Sequence, residues 1–159
     1  MAADANRPLE TATPVDALEL LQRDHRAVEA LFETFEATED KRAQRRIAQR
    51  ICAELHVHAQ IEEKILYPEA KRRRELRDLI NEGIVEHQAL KKLIRDIRKL
   101  SASDEFFAPK VKVLKEFVEH HVEEEESEAF PKIRECGLDL DQIGRRLAER
   151  KQRLVARNS

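Results

Sequence analysis

The sequence predicts an all-α protein: an up-down-up-down four-helix bundle with an additional short C-terminal helix. Three observations carry that expectation. Charged residues make up 39% of the 159-residue chain, aromatics only 4%, and there are three glycines, a balance that suits helices with strongly solvated outer faces. Apolar residues recur at spacings of three and four in four long runs. The chain also repeats itself. Asp24-His25 returns as Glu86-His87, 62 residues on, and His58-xxx-Glu62 returns as His121-xxx-Glu125, 63 residues on. Two αα-hairpins with short turns pack most simply as such a bundle.

Residues 1–13 are small and polar and are expected to form a flexible tail. Thr13-Pro14 reads as an N-cap followed by proline at the first helical position. The first helix then runs to about Glu36, with Leu18, Leu21, His25, Val28, Phe32 and Phe35 on one stripe. Residues 37–41 form a charged turn. The second helix runs from about Lys41 to Pro68 or just beyond, with Ile47, Ile51, Leu55, His58, Glu62 and Ile65 sharing a face. Pro68 marks its final turn, because an interior proline costs about 3 kcal/mol. The basic run Lys71-Arg-Arg-Arg74 suits a solvated helix C-terminus.

The third helix covers about 75–100, its stripe being Leu76, Ile80, Ile84, His87, Leu90, Ile94 and Ile97. Gly83, costing roughly 1 kcal/mol against alanine in mid-helix, suggests close approach of a neighbour or a tolerated defect. After a turn at Ser101–Asp104 the fourth helix leads to Arg134, with Val111, Leu114, Val118, His121, Glu125 and Glu128 on one side. Pro109 requires either a start near Ala108 or distorted first turns. Gly137 is placed to end this helix as its C′ residue. Residues 14–136 therefore read as the bundle. Residues 137–159 form a last helix, its side of Leu140, Ile143, Leu147 and Leu154 packed on the bundle or on a partner subunit.

Composition excludes several classes. Thirty basic against 32 acidic residues leave a net charge of −2, no general drive toward nucleic acid or membrane. No apolar run approaches the roughly 20 residues that span a bilayer. Residues 1–14 lack the basic start and apolar segment of a secretory signal. Cys52 and Cys136 form neither a disulfide framework nor a CxxC site, so a reducing cytoplasm is expected.

The chemistry lies on the core-facing stripes. His25, His58, His87 and His121 fall on four different helices, and Glu62 and Glu125 sit one turn beyond two of them. Burying such ions costs several kcal/mol each before pairing. A bound cation turns that cost into coordination. Six donors point to two metal ions with Glu62 and Glu125 bridging them, each ion seeing about two imidazoles and two carboxylate oxygens. Open positions remain for water, oxo or dioxygen. Mixed imidazole and carboxylate ligation with open positions suits iron over structural zinc, with zinc and manganese chemically admissible. By helical phase His56 and His120 face away as surface histidines. Glu63, Glu126 and Glu128 lie near the site, and Tyr67 and Phe130 read as packing aromatics.

This pattern, with the tails Glu62-Glu-Lys-Ile-Leu-Tyr-Pro68 and Glu124-Glu-Glu-Ser-Glu-Ala-Phe-Pro131, resembles the hemerythrin-like, HHE cation-binding family over about residues 16–135. The resemblance implies a non-haem di-iron centre, oxo-bridged or not, inside a four-helix bundle, able in some members to bind dioxygen reversibly. It makes His25, His58, His87 and His121 terminal ligands, with Glu62 and Glu125 bridging. The chain departs from the oxygen-carrying hemerythrins, which have a fifth histidine. At four residues either side of His87 stand Gly83 and Lys91. Those carriers also place an aspartate where this chain has Glu126. The four-histidine, two-glutamate pattern resembles the family's sensors and stress proteins.

The expected function is a metal-binding protein that handles or senses dioxygen, peroxide, nitric oxide or iron, as a monomer or homodimer. The alternatives are a non-catalytic helical interaction module with a vestigial or structural site, and a protein that repairs iron centres. The Glu-xx-His motif of ferritin-like oxidases is absent, as is the His-Glu-xx-His motif of zinc hydrolases.

Overall fold

The computed structural model describes residues 16–157, which are helical throughout apart from turns. The expected tail and the Thr13-Pro14 start lie outside the described residues. The first helix, α1 (Ala17–Glu36), begins at Ala17, where Asp16, in extended conformation, accepts a hydrogen bond from the Glu19 N–H at 3.0 Å. A short polar side chain there satisfies one of the N–H groups that a helix start leaves free. Asp40 plays the same part for α2 (Lys41–Ile61).

The second helix does not stop at Glu62. It widens into a π-turn, Glu62–Leu66, and continues as α3 (Tyr67–Lys71). The fourth does the same. α4 (Arg77–Lys99) leads through a turn to α5 (Phe107–Glu124), a π-turn at Glu125–Ala129 and α6 (Phe130–Glu135). In each π-turn the N–H of the aromatic reaches back five residues, Tyr67 to the Glu62 carbonyl and Phe130 to that of Glu125. Pro68 and Pro131 thus enter at the start of a fresh helical segment, where a missing N–H costs little. Glu128 is consequently exposed rather than on the buried stripe, because the extra residue in the turn rotates it outward. Pro109 stands in the first turn of α5, which resolves its placement. Gly137, at φ 72°, ends α6, and Asp139 caps α7 (Leu140–Arg157).

α1 packs on α2, α4 on α5, and α2 on α4, while α7 lies on α1, α2 and the Glu62–Leu66 turn. Two apolar clusters result. One holds Leu18 and Leu21, then Ile61 and Leu66, Leu76 and Ile80, Phe130 and Ile133, with Ile143 and Leu147 from α7. The other holds Val28, Phe32 and Phe35, Ile51 and Leu55, Leu90 and Ile94, Val111 and Leu114. Each fully buried aliphatic or aromatic side chain contributes about 1.5–3 kcal/mol. On α1, α2 and α4 the histidine falls between a stretch of one cluster and a stretch of the other, and His121 follows Val118 at the same border. The polar residues therefore form one layer sandwiched between two greasy ones.

Candidate metal centre

All six expected residues lie in that layer and are buried: His25 4% exposed, His58 7%, Glu62 0%, His87 1%, His121 4% and Glu125 5%. They gather as two triads. His25, His58 and Glu125 form one, and Glu62, His87 and His121 the other, with a nitrogen or oxygen from each member within 4.8 Å of the others. Each hairpin gives both its histidines to one triad and its glutamate to the other. Glu62 nonetheless stays close to its own helix partner, Oε1 lying 2.6 Å from His58 Nε2 and 3.6 Å from His87 Nε2. Glu125 Oε1 lies 2.9 Å from His121 Nε2 and 3.4 Å from His25 Nε2. Each carboxylate thus stands between two imidazoles of opposite triads.

Short as these distances are, they are not aligned hydrogen bonds. Among the described residues, His25 Nε2, His58 Nε2, both oxygens of Glu62 and Oε1 of Glu125 are buried without a hydrogen-bond partner. Such atoms cost free energy unless something else satisfies them. Lone pairs on imidazole nitrogen and carboxylate oxygen, converging in a dry layer, are what a divalent transition-metal ion accepts. The residues present therefore fit a metal.

Behind the inner ring stands an outer one. Asp24 accepts from His58 Nδ1 at 3.0 Å, Glu86 from His121 Nδ1 at 2.8 Å, Glu126 from His25 Nδ1 at 2.8 Å and Glu63 from His87 Nδ1 at 3.2 Å. An ionised carboxylate can only accept, so each Nδ1 carries a hydrogen and Nε2 is the nitrogen each ring turns inward, where a metal would take its lone pair once any proton there is displaced. The two-hairpin repeat extends to this ring: Asp24 and Glu86 precede a histidine, Glu63 and Glu126 follow one by five residues. Helical phase placed Glu63 and Glu126 near the site. Which histidine each supports required the packed helices.

The ionisation states agree. Burial works against charge on His58, but Glu62 and the hydrogen bond to Asp24 outweigh it and raise the imidazole to about 10. Burial likewise opposes charging of His121, yet Glu125 and Glu86 hold it well above the ordinary histidine range. Glu62 falls well below the usual carboxylate range: burial would raise it, but the facing His58 charge and the close polar groups around it prevail. For Asp24, Glu63 and Glu86 too, the hydrogen bond to an imidazole overcomes burial and lowers the carboxyl. In metal-free protein, protons on imidazoles do the neutralising that a cation would do.

Two aromatics complete the layer. Phe130 stacks on His25 at 5.9 Å between ring centroids, and Tyr67 on His87 at 5.4 Å. Tyr67 is more than packing. Its hydroxyl donates to Glu125 Oε2 at 3.3 Å and lies 3.4 Å from His87 Nε2. Burial, then the Glu125 and Glu62 charges, push the phenol well above its ordinary range, so it stays protonated. Proline six residues after each glutamate, inside an otherwise helical run, was the available signal for the π-turn that aims this ring. Gly83 has its neighbour as well: a Cβ there would stand 3.1 Å from the Tyr67 hydroxyl.

Neither triad includes His56 or His120. His56 is half-buried rather than superficial, and burial with Arg98 and Lys91 nearby lowers its pKa. His120 is exposed beside Glu124 at 3.1 Å and Glu86 at 3.5 Å. No described helix is long and apolar enough to cross a membrane.

Known proteins resemble this chain in fold and in sequence. A protein from Mycobacterium kansasii, described as containing a hemerythrin HHE cation binding domain, has a crystal structure that superposes with a TM-score of 0.76 over 88% of this chain and 87% of that one. At 21% identity the likeness establishes the fold alone. A DNA nickase from Nostoc sp. is 30% identical over 121 residues, which is 73% of this chain. The match spans 33% of the Nostoc protein, so the chain accounts for about a third of that relative. The profile of the hemerythrin HHE cation binding domain matches residues 16–133, the stretch that carries both triads and the outer carboxylates. The chain therefore belongs to the hemerythrin HHE cation binding domain family.

Proposed function

We propose that this protein holds two iron ions, with His25, His58, His87 and His121 as terminal ligands and Glu62 and Glu125 bridging, and that it handles or senses dioxygen, peroxide, nitric oxide or iron itself. The observation that carries the reading is the pair of interleaved triads with buried donor atoms lacking hydrogen-bond partners. Bound iron supplies redox chemistry and open coordination positions. The chain's own residues do the rest. Asp24, Glu63, Glu86 and Glu126 orient the imidazoles, Tyr67 holds a proton beside Glu125, and the apolar clusters exclude water.

A largely apolar chamber of ≈ 30 Å³ adjoins the four histidines, with Leu90 and Lys91 in its wall. Since one water needs about 10–15 Å³ on this measure, the chamber suits a diatomic ligand. The up-down-up-down arrangement is supported by contacts between opposite helix ends. Arg45, early in α2, donates to the Leu100 carbonyl at the end of α4 at 2.9 Å. Asp16, at the start of α1, accepts from Arg134 of α6 at 3.1 Å. Residues 14–136 are then the metal-holding unit, working in the cytoplasm. Phe106, just before α5, and Val113 and Phe117 on it stand exposed, and sedimentation would decide between monomer and a homodimer covering that face. Nicking of DNA is not carried over: the matched region is a third of the Nostoc protein, and an overall net charge of −2 gives no general drive toward nucleic acid.

Metal analysis of protein expressed with iron, in air and anaerobically, tests the reading. Two irons per chain, with visible absorption that depends on oxygen and bleaches on reduction, are expected. A metal-free protein whose melting temperature ignores added iron would establish instead a helical interaction module held by histidine–glutamate pairs.

A further inference from the structure

Each outer carboxylate is itself met by a basic side chain. Glu126 is met by Arg26, Glu63 by Lys91 at 2.6 Å, and Glu86 by His120 at 3.5 Å. These three come from the same helices that carry the triads. The fourth does not: Asp24, which holds His58, is met by Lys151 of α7. α7 lies beyond residues 16–133, the stretch the family profile covers.

We infer that α7 is a working part of the metal centre, with Lys151 as a positioning residue that fixes His58 through Asp24. The Asp24 side chain is 11% exposed, so its charge is poorly served by water and depends on its two partners. One oxygen accepts from His58 and the other from Lys151, which pins the carboxylate from both sides. With Lys151 gone, Asp24 can turn toward the adjoining cleft of ≈ 350 Å³ that it lines with Lys151, Arg50 and Val155, and the His58 ring loses its anchor. A second link runs through packing. Ile143 and Leu147 of α7 share a buried cluster with Ile61 and Leu66, on either side of Glu62. α7 therefore rests on the backbone that carries one bridging candidate and steers the imidazole beside it. By the repeat, the equivalent position in the second hairpin is filled by exposed His120, so the two halves of the centre are supported unequally.

Outer partners of metal-bound histidine typically alter metal affinity by about 10–100-fold. Lys151 acts one step further out, so the lower end, about tenfold, is expected at the half-site containing His58. Coupling is reciprocal: whatever factor docked α7 lends to the metal, the metal returns to α7 docking.

The inference rests on the metal reading above, and one experiment separates the two. Amide hydrogen exchange across residues 140–157 is compared in full-length protein, metal-free and loaded anaerobically with Fe(II), with iron content measured on the same samples. Fe(II) should slow exchange in α7 about tenfold in the wild type and in Lys151→Arg, but not in Lys151→Met. Lys151→Met should also bind one of its two irons about tenfold more weakly. Arg146→Met is the control: it removes an ion pair to Glu69 that also tethers α7 but leads to no histidine. It should raise α7 exchange equally with and without Fe(II) and leave iron affinity unchanged. If the wild type takes up no iron, the metal reading fails and this inference with it. If iron binds and α7 exchange ignores it, or if the Lys151 and Arg146 variants behave alike, the inference alone is overturned.

Discussion

Gly83 and Tyr67 make a closed test of the packing around the centre. An alanine at position 83 would place its Cβ 3.1 Å from the Tyr67 hydroxyl oxygen, 3.5 Å from Tyr67 Cζ and 3.8 Å from His121 Cε1. The tyrosine cannot retreat easily. It is 3% exposed, stacked on His87 and hydrogen-bonded to Glu125. Two effects then compete. Alanine in mid-helix gains about 1 kcal/mol over glycine. Overfilling a packed core costs about 1–3 kcal/mol. Gly83→Ala alone should therefore range from neutral to about 2 kcal/mol destabilising. In a Tyr67→Phe background the close oxygen is gone and the nearest atom is the ring carbon at 3.5 Å, an ordinary contact. There the same substitution should stabilise by about 1 kcal/mol. The cycle predicts a coupling of about 1–3 kcal/mol, the range found for touching residues. Denaturant unfolding of the four metal-free proteins measures it, with melting temperatures moving about 2–4 °C per kcal/mol at this chain length. Additivity within about 0.5 kcal/mol would show that the tyrosine hydroxyl does not press against α4 as described.

Other consequences are quicker to check. His58→Ala or His121→Ala should each remove one of two irons and lower the melting temperature of loaded protein, while His56→Ala and His120→Ala should do neither; equal loss in all four would mean the helix faces are misassigned. In metal-free protein the folded pKa of His58 is raised from 6.5 to about 10 by Glu62 and Asp24 against the pull of burial. The stability this lends is fully present below about pH 6.5 and lost as pH rises through about 10. Metal-free wild type should thus lose stability between pH 8 and 10 more steeply than His58→Gln; parallel curves would contradict the shift. Iron must displace those protons, so its apparent affinity should rise with pH over the same window, as titrations at fixed ionic strength would reveal. Cys52 is buried, and that burial pushes its thiol up to about 11, whereas Cys136 is half-buried. Mass spectrometry after brief alkylation at pH 8 should find one modification on native protein and two after unfolding.

Much of the centre was legible because it is local. Histidine and glutamate four residues apart share a helix face whatever the rest of the chain does. The 62- and 63-residue repeats place that face on the same core stripe in each hairpin. Burial of Leu18, Ile51, Ile80 and Leu114 agrees with the stripe arithmetic. The arithmetic fails at Glu128 and understates Tyr67, both just beyond a π-turn. Hydrophobic period does not encode a change of hydrogen-bond register, and one extra residue per turn redirects every side chain that follows.

The sequence alone determined the helices, their inward stripes and the identity of six inward-facing polar residues, because helical periodicity and the cost of burying unpaired charge act residue by residue. Tertiary structure decided what spans long separations. Glu126 supports His25 from 101 residues away, and Lys151 reaches Asp24 across 127. Such pairings depend on the distance and rotation between packed helices, which no spacing along one helix can state.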